Sequence, residues 1–302
     1  MTKHFITGAA LYSWQQQAKQ LAQKNNIDKN EVDWLLQEFT PLSNLSLKLG
    51  DYREQQAVPS KISIATLTEK WHQRLHQRVP VQYLAGKTPW RNFSLTVTPD
   101  VLIPRPETEL IIDIAHRLVE QHPNKEQLLK GHWADMGTGS GAIAIALAKQ
   151  FPEATIHAVD LSKKALAVAQ QNAIDNGLNA SIRFHRGSWF NPLAHMEHGL
   201  SAVISNPPYI PTQAVHTLQP EITRHEPHLA LDGGKDGLSS IKTIVDQGLS
   251  YLKPGGIWLI EIMSGQAKAV ADMLANQVEY THIRIHRDLS GIQRFVSARK
   301  VL

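Results

Sequence analysis

The 302-residue sequence predicts an α/β fold, a largely parallel sheet covered by helices on both faces, with a small helical bundle ahead of it. Three observations carry this expectation. Strand-like apolar runs and helix-period segments alternate from about residue 108 to about residue 278, the pattern of parallel strands joined by helical crossovers. A glycine-rich turn, Asp135 to Gly141, lies between the first of these strands and its helix, where backbone must come close to a ligand and only Gly leaves room. The last two runs, Thr281 to His286 and Arg294 to Ala298, are joined by a turn at Ser290-Gly291. That connection is too short for a crossover, so the final pair should be antiparallel.

The elements follow in order. Residues 6 to about 77 place Leu11, Trp14, Ala18 and Leu21, then Val32, Leu35, Leu36 and Phe39, at helical spacing, with Asp28 as an N-cap before the second run. From Val79 to Pro106 the texture turns to Pro, Gly and alternation; Asn92 to Val97 reads as a short strand. The domain boundary falls in this stretch. The spacing of Leu110, Ile111, Ile114, Ala115 and Leu118 predicts a helix, and Trp133 to Met136 the first sheet strand. A helix from Ala142 to Gln150, a strand from Thr155 to Val159 ending at Asp160, and a helix capped by Ser162 and stopped by Gly177 come next. Ser181 to His185 and Ala202 to Ser205 are the third and fourth strands. A helix over about 239–252, a turn at Pro254-Gly255-Gly256, a strand from Ile257 to Ile262 and a helix over 266–277 complete the alternation.

Composition limits the function classes. Hydrophobic residues make up 42% and charged residues 19% of the chain, which excludes collagen-like, coiled-coil and low-complexity readings. No apolar run approaches the roughly 18 residues of a membrane span, the amino terminus lacks a secretory signal, and the chain has no Cys. The expectation is a soluble cytoplasmic protein without disulfides or thiolate metal sites. The formal net charge is +4, and residues 1–80 hold 10 Lys+Arg against 7 Asp+Glu, a thinner basic balance than nucleic-acid binding demands. The 15 His are scattered, without the spacing of a metal site.

Two segments carry chemistry. Gly137-Thr138-Gly139-Ser140-Gly141-Ala142 satisfies G-x-G-x-x-G/A, and Asp160 stands near the roughly 20-residue offset of a ribose-binding carboxylate. Together they choose an adenosine cofactor, a dinucleotide or S-adenosylmethionine, without choosing its chemistry. Trp189 follows the third strand, on the rim where an adenine could sit. The discriminating segment is Asn206-Pro207-Pro208-Tyr209, at the end of the fourth strand and on the same rim as the glycine turn. Neither proline has an N–H, so this backbone offers carbonyl acceptors without competing donors. A planar NH2 group could give one hydrogen to the Asn206 side-chain oxygen and the other to the Pro207 carbonyl. Tyr209 could pack on its planar face or near a cationic sulfonium. Amide and aromatic amine nitrogens are poor nucleophiles; holding both N–H bonds orients the lone pair toward an electrophilic methyl, and in-line positioning supplies much of the catalysis. Asn206, Pro207 and Tyr209 are therefore the catalytic candidates.

With these go Pro104-Arg105-Pro106-Glu107-Thr108-Glu109, Glu226-Pro227, Leu231-Asp232-Gly233-Gly234, Asp236-Gly237-Leu238 and Pro254-Gly255-Gly256. In that order, over about residues 80 to 300, they closely resemble the bacterial release factor glutamine methyltransferases, the HemK family. The resemblance implies a Rossmann-like, seven-stranded class I methyltransferase domain over 107–302, a linker with a short β-hairpin over 79–106 and a helical substrate-docking domain over 1–78. It implies methyl transfer from S-adenosylmethionine to the side-chain amide of the Gln in the Gly-Gly-Gln loop of class I peptide chain release factors, with no stable nucleic-acid partner, membrane or metal. It also implies cofactor contacts at Gly137, Thr138, Gly139, Ser140, Gly141, Asp160, Trp189 and Asn206, and substrate contacts at Asn206, Pro207, Pro208 and Tyr209. Departures from the family pattern are Ser201, Met263 and Ile292-Gln293. An adenine-specific DNA methyltransferase shares the Asn-Pro-Pro-Tyr logic but must extract a base and grip phosphates, a large task for a basic balance this thin. A noncatalytic S-adenosylmethionine-binding adaptor has no use for the acceptor motif, and an NAD dehydrogenase explains the glycine turn alone.

Overall fold

The computed structural model describes residues 4–302. The chain divides into two compact units: one takes in the chain through Gly86 together with Pro220–His225, the other Lys87–Gln219 and Glu226–Leu302. The first unit therefore extends past residue 78 and recruits a six-residue piece from far along the chain.

In the first unit, helices Gly8–Lys24, Asn30–Phe39, Asn44–Leu49, Ile64–His72 and Val81–Ala85 close over Leu11, Trp14, Leu35, Leu36 and Trp71. Hydroxyl N-caps start three of them, with Thr7, Ser43 and Ser63 accepting from backbone N–H groups of the first turn. At the second helix the Asp28 carboxylate accepts from Asn30 N–H at 2.9 Å, although the residue flanking the helix is Lys29. The unit is not purely helical. Strand β1 (His4–Ile6) pairs antiparallel with β2 (Val58–Ser60), and strands of three residues are too short for an alternating pattern to reveal. Arg74, buried, bridges Glu31 (2.5 and 2.9 Å) and Glu221 (2.7 Å), which ties the recruited segment into this unit.

The second unit opens with a hairpin, β3 (Lys87–Trp90) and β4 (Phe93–Thr96). Its sheet comprises β5 (His132–Met136), β6 (Thr155–Asp160), β7 (Ile182–Arg186), β8 (Leu200–Ser205), β9 (Leu252–Glu261), β10 (Tyr280–Arg287) and β11 (Gln293–Lys300), in the order β10-β11-β9-β8-β5-β6-β7. Six strands point the same way and β11 alone is reversed, antiparallel to both β9 and β10, as the short last turn requires. Helices cover both faces. One face buries Trp133, Ile145, Leu147 and Ile204, the other Met136, Val203, Trp258 and Ile260, so successive β5 residues alternate between two cores. The helix pattern holds closely, with Ala142–Gln150, Lys163–Asp175 and Ser239–Tyr251 formed, and the Ser162 hydroxyl caps the second. The strand expected to begin at Ile257 instead begins at Leu252. Pro254-Gly255-Gly256 sits within it as a bulge, because Leu200 faces Leu252 while Ala202 already faces Ile257.

Strand order reverses at β5, which lies between β6 and β8. The carboxyl ends of these three strands lead into Gly137, Leu161 and Asn206 side by side, the crevice where open α/β sheets bind ligands.

Candidate active site

The turn after β5 is shaped by its backbone. Gly137, Gly139 and Gly141 have φ of 76°, 55° and 84°, a region side chains disfavour. At Gly141 a Cβ would also lie 3.0 Å from that of Ala169. Three side chains pin the turn. Asp135 accepts from the Thr138 hydroxyl at 2.6 Å and from Ala144 N–H at 3.0 Å, and complete burial pushes its carboxyl up to about 7. Asp160 accepts from Gly139 N–H at 2.9 Å through one oxygen and from Ser162 N–H at 2.8 Å through the other. Burial raises its pKa, against the pull of these N–H groups. Asn172 holds the Ser140 carbonyl from behind.

A cavity of about 380 Å³ opens beside the turn, within the range of small-molecule sites. Gly137, Gly139, Asp160, Trp189, Asn206 and Pro208 border it. Thr138 and Ser140 are buried, and they, like Gly141, lie behind its wall. Trp189 has φ of 47°, strained for an aromatic residue, and its ring lies 3.8 Å from where a Gly137 Cβ would stand.

The Asn206 side chain donates from Nδ2 to the Thr108 hydroxyl at 3.1 Å, which leaves Oδ1 as the acceptor it presents. Asn206 and Pro208 reach the cavity; Pro207 is buried. Tyr209 turns away to donate from its hydroxyl to Glu261 Oε1 at 3.0 Å. Burial and the neighbouring carboxylate raise the phenol pKa, while burial pushes Glu261 up to about 7. The motif backbone is braced from outside: Gln266 donates to the Tyr209 carbonyl at 3.0 Å, Ile210 forms an isolated parallel bridge with Asp232, and a Cβ on Gly233 would lie 2.8 Å from the Pro208 carbonyl oxygen. Arg105 binds both Glu226 oxygens at 2.8 Å, anchoring the residue before Pro227, which also borders the cavity.

The geometry thus brings Gly137, Gly139, Asp160, Trp189 and Asn206 to one cavity from the ends of four strands, β5, β6, β7 and β8. Thr108 and Glu261 were not singled out from the sequence. Thr108 lies inside a Pro- and Glu-rich segment in which a single hydroxyl makes no pattern, and Glu261 inside an apolar strand where a lone acid makes none. No group of three metal-ligating side chains occurs among the described residues, and none of their helices is long and apolar enough to cross a membrane.

The methyltransferase small domain model matches residues 109–236. The release factor glutamine methyltransferase of Synechocystis sp. is 47% identical over 299 residues, 99% of each chain. The enzyme of the same name from Thermosynechococcus vestitus is 44% identical over 97% of this chain and 99% of its own. Among solved structures, the hMettl16 catalytic domain aligns with a TM-score of 0.52 at 13% identity, over 78% of this chain and 80% of that one, a likeness of fold.

Proposed function

The chain belongs to the release factor glutamine methyltransferase family, an S-adenosylmethionine-dependent group, and from that membership we infer that it methylates the side-chain amide of the Gln in the Gly-Gly-Gln loop of class I peptide chain release factors. The observation that carries the reading is the commitment of the Asn206 NH2 group to Thr108. A substrate amide NH2 needs acceptors, and a fixed Asn206 offers one in Oδ1, with the Pro207 carbonyl as the second.

The residues at the cavity suit the cofactor. Gly137 and Gly139, at positive φ, leave a cradle no Cβ fills, and an acidic side chain and an indole stand at its rim. Gly137 and Gly139 would face the amino-acid end, Asp160 the ribose hydroxyls and Trp189 the adenine. When bound, S-adenosylmethionine supplies a methyl group on a positively charged sulfur.

The chain's own contribution is positional. Asn206 and Pro207 grip both N–H bonds of the glutamine amide, so that its nitrogen lone pair faces the methyl group in line. Pro208 walls the site, and the Tyr209 hydroxyl, tied to Glu261, fixes the turn in which Asn206 sits. The first unit, the chain through Gly86 together with Pro220–His225, docks the body of the release factor. Labelled S-adenosylmethionine offered to purified release factor, to the same factor with its loop Gln replaced, and to DNA tests the reading. Label in the first alone is expected; label in DNA, or in the Gln-substituted factor, overturns it.

A further inference from the structure

A second cavity, of about 350 Å³, lies on the flank of the catalytic unit, between the helix Leu110–Glu120 and the edge strand β10. Ile114, Leu118 and Ile285 supply its apolar surface, and Arg117, Arg284 and His286 its polar one. None of these residues borders the cavity beside the glycine turn. Charge here is one-sided. The acids nearest Arg117 on its own helix are engaged elsewhere: Asp113 binds Arg91 at 3.0 and 3.1 Å, and Glu120 binds Lys125 at 2.8 Å. Arg284 Nη1 donates to Gln121 Oε1, a neutral acceptor, at 3.3 Å. His286 gives one ring nitrogen, Nε2, to Ser297 Oγ at 2.7 Å, which leaves Nδ1 for another partner. Arg299 donates from Nη2 to the Leu118 carbonyl at 3.3 Å, and its buried Nε has no hydrogen-bond partner among the described residues.

We propose that this cleft binds a small phosphorylated molecule, its phosphate held by Arg117, Arg284 and His286 and its apolar remainder lying on Ile114, Leu118 and Ile285. The ordinary uses of surface cations do not require such an arrangement. A cation near a helix C-terminus complements the dipole, and one charge is enough to keep an edge strand from pairing. Neither use brings two guanidiniums, 167 positions apart in the chain, to one cleft without an anion. Like charges held together raise the energy of the free protein, and a bound anion removes that cost. A guanidinium presents its donors in a planar fork that matches phosphate oxygens. Size favours a small ligand over a polymer, because the cleft has the volume of a small-molecule site. The net charge of +4 provides no continuous basic track for a phosphodiester backbone. Burial, then Arg117 and Arg284, hold His286 down at about 4, and the Ser297 hydroxyl faces the ring from β11. An anion seated beside the two arginines offsets them and raises the His286 pKa.

The test uses inorganic pyrophosphate as the probe, titrated into the full-length protein at fixed ionic strength and followed by calorimetry and by the His286 ring resonances. Binding is expected with a Kd of about 1 mM or below, and the His286 midpoint is expected to rise by about 1 unit or more. Arg117→Gln and Arg284→Gln should each weaken binding at least about 10-fold, with thermal midpoints near that of the wild type. Arg117→Lys, which keeps the charge and loses the fork, should fall between wild type and Arg117→Gln. Undiminished affinity in the Arg117→Gln, Arg284→Gln double variant overturns the proposal, as does the absence of both heat and a His286 shift well above the expected Kd. So does a single-stranded RNA that binds through the same arginines more tightly than pyrophosphate, since the cleft would then be one part of a polyanion surface. Should a Gln variant fail to fold, the wild-type His286 midpoint with and without pyrophosphate decides: an unmoved midpoint overturns the proposal.

Discussion

Asn172 donates from Nδ2 to the carbonyl of Ser140 at 2.9 Å, binding the helix after β6 to the glycine turn after β5. The same carboxamide accepts from Thr96 N–H at 2.7 Å and donates to the Thr96 carbonyl at 2.9 Å. One fully buried side chain thus satisfies three backbone groups on two separate segments.

Replacing Asn172 by Leu, of similar volume, should strand those three groups. Each buried unpaired group costs about 1–3 kcal/mol, so urea denaturation is expected to register a loss of about 3 kcal/mol or more. Cofactor affinity should fall as well, because the Ser140 carbonyl loses its anchor. A variant as stable as the wild type would refute the bridging role.

Asn206→Ala removes the side-chain acceptor without touching the glycine turn. Single-turnover methyl transfer should slow by at least about 100-fold, from lost hydrogen bonding and lost positioning together, while cofactor binding by calorimetry weakens much less. Turnover like that of the wild type would remove Asn206 from the chemistry.

Leu45 and Leu49 are 66% and 69% exposed and one helical turn apart, so they share a face of helix Asn44–Leu49. If the helical unit docks the release factor, changing both to Ser should raise KM for the factor several-fold and leave kcat and cofactor Kd unchanged. An unchanged KM would exclude this face from docking.

The pH dependence of stability has a source outside the site. His132, His157 and His185, on β5, β6 and β7, form a row of ring nitrogens at 3.0 Å spacings. Burial, then His185 and His132, then His195 and Arg183, hold His157 down at about 4 against an ordinary 6.5. The folded protein keeps this ring neutral where the unfolded chain takes up a proton. Its contribution is complete above pH 6.5 and is lost as pH falls from there toward 4, up to about 3 kcal/mol. Asp135 and Glu261, raised to about 7, act in the opposite sense, so the comparison must be with a variant. Urea midpoints at pH 7.5 and 5 should fall further in the wild type than in His157→Gln; equal falls would remove His157 from the balance.

Much of the catalytic unit was legible because its signals are local. Alternating periods gave the parallel strands and crossovers, the turn at Ser290-Gly291 gave the antiparallel end, and the three glycines announced a turn that only they can make. Asn206 could be singled out because prolines remove donors wherever the chain is folded. The bulge within β9 escaped because nothing local marks how many residues oppose how few.

The sequence by itself determined which backbone segments form, that the glycine turn and Asn206 stand at strand ends on one rim, and that Asn206, beside prolines without N–H, is the acceptor candidate, since each depends on neighbours a few positions away. Only the tertiary structure decided what stands behind that acceptor. Asn206 and Glu261 are 55 positions apart and come together because β8 and β9 are adjacent, with Ser205 facing Ile260, while Thr108, 98 positions before Asn206, meets it by a hydrogen bond from outside the sheet. The row of three histidines, scattered along the chain, forms for the same reason. Hydrogen-bond direction is a property of neighbours in space, and neighbours in space are chosen by strand order and register, which no short window of sequence contains.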